Sequence, residues 1–244
     1  MWRRHSCLQA PGLFPARRVE MSLDPAGTSA CATPASYNLH MLRQATFALV
    51  VFVAPLIAQS PAGWKMRVDH STSAADPDAA GNIKFVTEGA GFHCTNPQAA
   101  VYWNPANTAT GAYTLKGTFT LMKPSGHTNY YGLVFGGSGL EGADQSYLYF
   151  VVAQNGTWLI KSRTGDSTPV IATKTPSDAV KKPDDTGKSI NTLEVRVAAD
   201  KVDFVVNGTV VHSEPKTGAL AKTDGIYGIR INHLLEVQVD NFGK

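Results

Sequence analysis

Residues Thr192–His212 read TLEVRVAADKVDFVVNGTVVH, and the fold class follows from this stretch. Leu193, Val195 and Val197 alternate with Glu194 and Arg196. That two-residue period belongs to a strand with one face in a core and the other in water. Ala199-Asp200 breaks the pattern, and KVDFVV (Lys201–Val206) resumes it. Asn207-Gly208 then separates KVDFVV from TVVH (Thr209–His212). Asn-Gly between apolar runs is the strongest short hairpin signal, because a type I′ turn needs φ > 0 at both central residues. The stretch predicts three consecutive antiparallel strands.

The same grammar extends outward. On the C-terminal side, Gly225–Asn232 (GIYGIRIN) sets Ile229 and Ile231 against Arg230 and Asn232. Leu235–Asn241 sets Val237 and Val239 against Glu236, Gln238 and Asp240. On the N-terminal side, Tyr147–Ala153 and Thr157–Arg163 flank Gln154-Asn155-Gly156, a second hairpin signal. Earlier strands are predicted at Ile83–Thr87, Gly91–Cys94, Ala100–Trp103, Tyr113–Lys123 and Tyr130–Phe135. Thr164–Ser189, rich in Pro, Asp, Lys and Thr, reads as a long loop with one edge strand at Val170–Thr173. About eleven to thirteen short strands without a sustained 3.6-residue period predict a sandwich or barrel.

Charge and cysteines narrow the class. The formal net charge of +3 comes entirely from the segment up to Ala58, where five Arg face only Glu20 and Asp24. From Gln59 onward, 17 basic and 17 acidic residues cancel. A neutral body lacks the electrostatic footprint that nucleic-acid binding requires. Of Cys7, Cys31 and Cys94, only Cys94 falls in the predicted domain, so no disulfide staples it. The thiol is expected to be a buried strand residue.

Thr46–Ala58 reads TFALVVFVAPLIA, an apolar run too short to span a bilayer. Arg43 precedes it and small residues follow in AQSPAG, the layout of a signal peptide cleaved after Ala58. Three parts are therefore expected. Residues 1–40 are an over-extended or disordered start before Met41, residues 41–58 a signal peptide, and residues 59–244 one β-domain. The mature domain is expected to be secreted or periplasmic, with no membrane span.

The succession YYGLVF, SYLYFVV, NG, TWLI, TLEVRV, KVDFVVNGTVV, GIYGIRI and VDNFG resembles the concanavalin A-like lectin/glucanase superfamily over residues 112–244. The laminin-G-like domains and the domain of bacterial 3-keto-disaccharide hydrolases are most similar. The features that carry the resemblance are Asn207-Gly208, the Gly225–Gly228 strand and the closing Asp240-Asn241-Phe242. It implies an all-β, two-sheet antiparallel jelly-roll sandwich. Where the keto-disaccharide hydrolases carry Asn-Ser-Gly, this chain has Asn129-Tyr130-Tyr131-Gly132.

Catalytic signatures are sparse. The Glu-x-Asp-x-x-Glu strand of laminarinase-type glucanases is absent. Glu236 and Asp240 share a face but stand about 13 Å apart on one strand, beyond the spacing of a glycosidase pair. A pair drawn from different strands, such as Glu194 with Glu236, stays open. Gly137–Gly142 matches G-x-G-x-x-G, yet a strand follows where the dinucleotide fingerprint needs a helix, so it reads as a loop. His70, His93, His127, His212 and His233 show no metal-ligand spacing, and no zinc or other metal site is predicted. Asp- and Asn-containing loops carry no diagnostic calcium spacing, and no cofactor is assigned.

Aromatic residues supply the candidate site. Tyr147 and Tyr149 share the face opposite Leu148 and Phe150, while Arg230 and Asn232 point away from the core. With Trp103 and Tyr130 they form a glycan platform if their strands lie in one sheet. The leading expectation is an exported, non-catalytic module binding carbohydrate or a cell-surface ligand through Trp103, Tyr130, Tyr147, Tyr149, Arg230 and Asn232. A glycoside-acting hydrolase and a laminin-G-like interaction module are the alternatives.

Overall fold

The computed structural model describes residues 60–244, apart from Thr72. The expected signal peptide and the segment before it lie outside the described residues. Fourteen strands carry the fold: β1 (Lys65–Asp69), β2 (Lys84–Glu88), β3 (Gly91–Asn96), β4 (Ala99–Ala109), β5 (Tyr113–Lys123), β6 (Tyr130–Ser138) and β7 (Ser146–Ala153), then β8 (Thr157–Thr164), β9 (Val170–Pro176), β10 (Ser189–Val197), β11 (Lys201–Val206), β12 (Thr209–Pro215), β13 (Gly225–Ile231) and β14 (Leu235–Gly243). They build two seven-stranded sheets. Sheet I runs β1-β4-β13-β6-β7-β8-β9 and sheet II runs β12-β11-β10-β5-β14-β3-β2. Every pairing is antiparallel. Among the described residues, no helix is long and apolar enough to cross a membrane.

The alternation sets the core. Leu193, Val195, Val237, Val239, Ile229 and Ile231 are all fully buried between the sheets. Sheet I adds Tyr131, Leu133, Phe135 and Phe150 from the facing side. Trp64 packs against Phe85, Phe92 and Phe242, with the nearest ring centroid 4.5 Å away. Cys94 lies in this core with no disulfide partner among the described residues, and burial pushes its thiol pKa up.

The two Asn-Gly turns differ. Asn207 (φ 49°) and Gly208 (φ 85°) are both left-handed, the type I′ geometry. At the other turn Ala153 pairs with Thr157, leaving three loop residues, and only Gly156 has positive φ (84°). The Gly156 N–H donates to the Ala153 carbonyl at 3.0 Å. One extra residue thus converts the hairpin to a three-residue loop with a single left-handed glycine.

The long connection after β8 holds an edge strand, β9, as its composition suggests. The rest of that connection is tied down by the side-chain amides of Asn191 and Asn207. Asn191 accepts from the Lys181 N–H (2.8 Å) and donates to the Lys181 carbonyl (3.0 Å) and the Tyr131 hydroxyl (3.2 Å). Asn207 donates to the Ala179 carbonyl at 2.7 Å. β1 has no counterpart in the sequence reading. Its two apolar residues, Met66 and Val68, are too few to register as a strand, and it sits at the edge of sheet I.

Candidate functional site

Sheet I carries a second apolar cluster on the face turned away from the core. Val101 and Trp103 of β4, Val134 of β6, and Tyr147, Tyr149 and Val151 of β7 form it. Leu140, from the loop that sequence reading placed at Gly137–Gly142, packs onto it.

Charge is set into this apolar ground. The register aligns Arg230 of β13 with Gly132 of β6, and Gly132 with Val151 of β7. Glycine at 132 lets β6 and β7 approach closely, since a Cβ there would collide with the Phe150 carbonyl oxygen, and the Arg230 guanidinium reaches across to β7. It lies 5.3 Å from the Tyr149 ring centroid and donates to the Tyr147 hydroxyl at 2.9 Å. It also donates to Asp69 Oδ2. Arg163 Nη1 is 3.3 Å from the same oxygen, and Arg67 Nε is 3.7 Å from Asp69 Oδ1. The Tyr147 hydroxyl donates to Asp69 Oδ2 at 3.4 Å.

The network is nearly dry. Side-chain exposure is 6% for Asp69 and 12% for Arg230. Burial pushes the Tyr147 pKa up to about 12, with Arg230 opposing and Asp69 reinforcing the shift. Burial, with Arg230 and Arg163 nearby, lowers the Lys161 pKa. Asp69 Oδ1 is buried and receives no hydrogen bond among the described residues. A carboxylate oxygen in that position is an acceptor still owed a donor.

Beside this network lies a cleft of about 270 Å³. Asp69, Arg163 and Arg230 form one wall, with Asn129, Asn232 and His70 around them. A hollow of about 430 Å³ near Pro97, Pro124 and Leu235 and one of about 500 Å³ bordering Tyr147 and Asp224 are larger. Neither contains the Asp69–Arg230 pair, so the chemistry concentrates in the smaller cleft.

The cleft also gathers histidines that the sequence leaves scattered. Asp76 Oδ1 is 2.8 Å from His127 Nε2 and 3.2 Å from His233 Nε2. The two Nε2 atoms are 3.2 Å apart. His233 Nδ1 lies 3.1 Å from Asp78 Oδ1, and His70 lies 3.2 Å from the other Asp78 oxygen. Desolvation would raise the Asp78 pKa, but bonds from the Ser71 N–H, His233 and His70 outweigh it and lower the pKa.

All six residues singled out in the sequence lie on or beside this face of sheet I. Trp103, Tyr147 and Tyr149 are in the cluster, Tyr130 packs at its margin, Arg230 crosses it, and Asn232 lines the cleft. They are not the open stacking platform that the sequence suggests. Trp103 is 2%, Tyr147 1% and Tyr149 6% exposed. The rings support the guanidinium instead of facing solvent. Sequence reading missed Asp69, Arg163 and the histidine cluster.

The carboxylate pair left open by the sequence does not form. Glu194 sits opposite Lys116 and Glu236 opposite Lys123, seven residues further along β5. That is about 24 Å at strand spacing, far beyond a glycosidase pair.

No protein-family model matches the chain, and no curated protein matches it. Among solved structures, the carbohydrate-binding module CBM66 from Bacillus subtilis is similar with a TM-score of 0.51 and 11% identity, over 74% of this chain and 93% of that one. A galectin-like-fold protein of unknown function from the same organism gives 0.49 and 16%, covering 74% and 87%. A β-glucanase from Bacillus licheniformis gives 0.48 and 13%, covering 75% and 92%. The fold is the concanavalin A-like jelly-roll sandwich.

Proposed function

We propose that the protein is an exported, non-catalytic module that binds a short saccharide, or the end of a longer one, in the cleft above sheet I. The observation that carries this reading is the Asp69 carboxylate held by Arg230 and Arg163 in the wall of the cleft, a charged group fixed in place where a ligand would sit. A sugar hydroxyl oxygen accepts from an arginine N–H of this kind and donates its own hydrogen to a neighbouring side-chain oxygen. Asn232 adds a donor and an acceptor at the rim. The volume falls just below the roughly 300–1,000 Å³ of small-molecule sites, which suits one or two sugar rings. Because the tyrosines are covered by Arg230, recognition is by hydrogen bonds more than by ring stacking. A solved structure of the same fold is named as a carbohydrate-binding module, which supports testing this ligand class first.

Screening the protein on a glycan array, followed by calorimetry with Asn232→Ala, tests the reading. Among the described residues the Asn232 side chain makes no hydrogen bond, so its loss should spare the fold. We expect binding to a defined saccharide set and affinity at least about tenfold lower in Asn232→Ala, the equivalent of about 1.4 kcal/mol. An array with no binding, or unchanged affinity in the variant, would overturn it.

A further inference from the structure

We infer that Asp76, His127 and His233 form a binding site for a borderline divalent cation of the zinc type. The inference stands on the cluster's own geometry and does not depend on a saccharide ligand.

The protons come first. The Asp78 carboxyl accepts from the Ser71 N–H through one oxygen, and its other oxygen lies 3.1 Å from His233 Nδ1, so a hydrogen on Nδ1 joins the two. In neutral His233 this leaves Nε2 as a bare lone pair, aimed at Asp76 Oδ1 and His127 Nε2. With its hydrogen on Nδ1, His127 presents its Nε2 lone pair 2.8 Å from Asp76 Oδ1 and 3.2 Å from His233 Nε2. Two imidazole lone pairs and a carboxylate oxygen then converge with no proton between them. A single proton on His127 Nε2 would serve only one of its two acceptors. A cation satisfies all three at once.

The spacing agrees. Tetrahedral ligands with bonds of about 2.0–2.1 Å stand about 3.3 Å from one another. The three separations here are 2.8, 3.2 and 3.2 Å. The Asp78–His233 contact is the carboxylate–histidine arrangement that orients metal-bound imidazoles. Two nitrogens and one oxygen suit zinc and its neighbours, whereas calcium takes six to eight oxygens. His233 is nearly buried (side chain 7% exposed), but His127 (42%) and Asp76 (47%) leave an open side for a fourth ligand.

The site also has a structural meaning. Asp76 lies between β1 and β2, His127 between β5 and β6, and His233 between β13 and β14. One ion would clip three connections at one end of the cleft that Asp76 and His233 line together with Arg230.

The test uses full-length protein prepared without a polyhistidine tag and stripped with chelator. Zinc chloride is titrated by calorimetry, and thermal unfolding is followed with and without zinc. We expect one equivalent to bind and to raise the midpoint of unfolding. His127→Ala, at an exposed position, should keep the fold and lose both effects. Asp78→Asn should bind about 10–100-fold more weakly. His93→Ala, on the outer face of sheet II with Glu88 and Glu236, should bind like the parent. Because His5, His40, Cys7 and Cys31 stay in every protein compared, the variants separate their binding from that of the cluster. Absence of saturable binding, or equal binding in His127→Ala and the parent, would show that the cluster is only a proton-sharing network and would overturn the inference.

Discussion

The outer faces of the two sheets are built from similar residues put to opposite uses. On sheet II, Glu194 pairs with Arg196 and Lys116, and Lys201 with Asp203, on a face where the cations stay 43–51% exposed. On sheet I, Arg230 and Arg163 are 12% and 14% exposed and share one carboxylate. Water screens the first set, so those pairs contribute little to stability. The second set has lost its water and depends on Asp69 for compensation. The contrast marks sheet I as the face where polar groups are held in fixed positions, as recognition requires.

The sharpest way to break this contrast is Asp69→Ala. It should destabilise the protein by about 3–5 kcal/mol in urea unfolding, because Arg230 and Arg163 lose their compensating charge. A cost under about 1 kcal/mol would mean that the two faces are energetically alike. Alkaline titration comes next. With its pKa near 12 in the folded protein and an ordinary value of 10.0, Tyr147 favours the folded state while the hydroxyl is neutral. That contribution is complete below pH 10 and is lost as the pH rises toward 12, a decline of about 2–3 kcal/mol. Tyr147→Phe should make the decline of the unfolding free energy across that window shallower, the remainder coming from Tyr102, Tyr113, Tyr131 and Tyr149, whose pKa values burial also raises. The smallest effect belongs to sheet II. Arg196→Ala should cost about 0–1 kcal/mol, and salt should diminish the difference.

The strands and their inner faces were legible because a two-residue period is a local property. Leu193, Val195 and Val197 declare their face whatever lies beside them. The parity of Tyr147, Tyr149, Arg230 and Asn232 was legible for the same reason. Their convergence was not, since it depends on β6 lying between β13 and β7 and on Arg230 reaching across it. Asp69 sits on a five-residue edge strand too short to show a period. Asp76, His127 and His233 come from three connections, the two histidines 106 positions apart, and no spacing rule reaches across that distance. Burial of the tyrosines depends on the same long-range packing, which is why an exposed platform was the natural reading from the sequence.

The packing of Trp64 against Phe242 has a topological consequence. Trp64 immediately precedes the first strand, Phe242 lies near the end of the last, and their rings are 5.7 Å apart. The path through fourteen strands therefore almost returns to its origin. A short linker across this gap would close the domain into a ring, and the ring could be reopened at a surface turn such as Asn207-Gly208 with its sheets intact. The same proximity would let the sandwich be spliced into a loop of another protein without prying that loop apart.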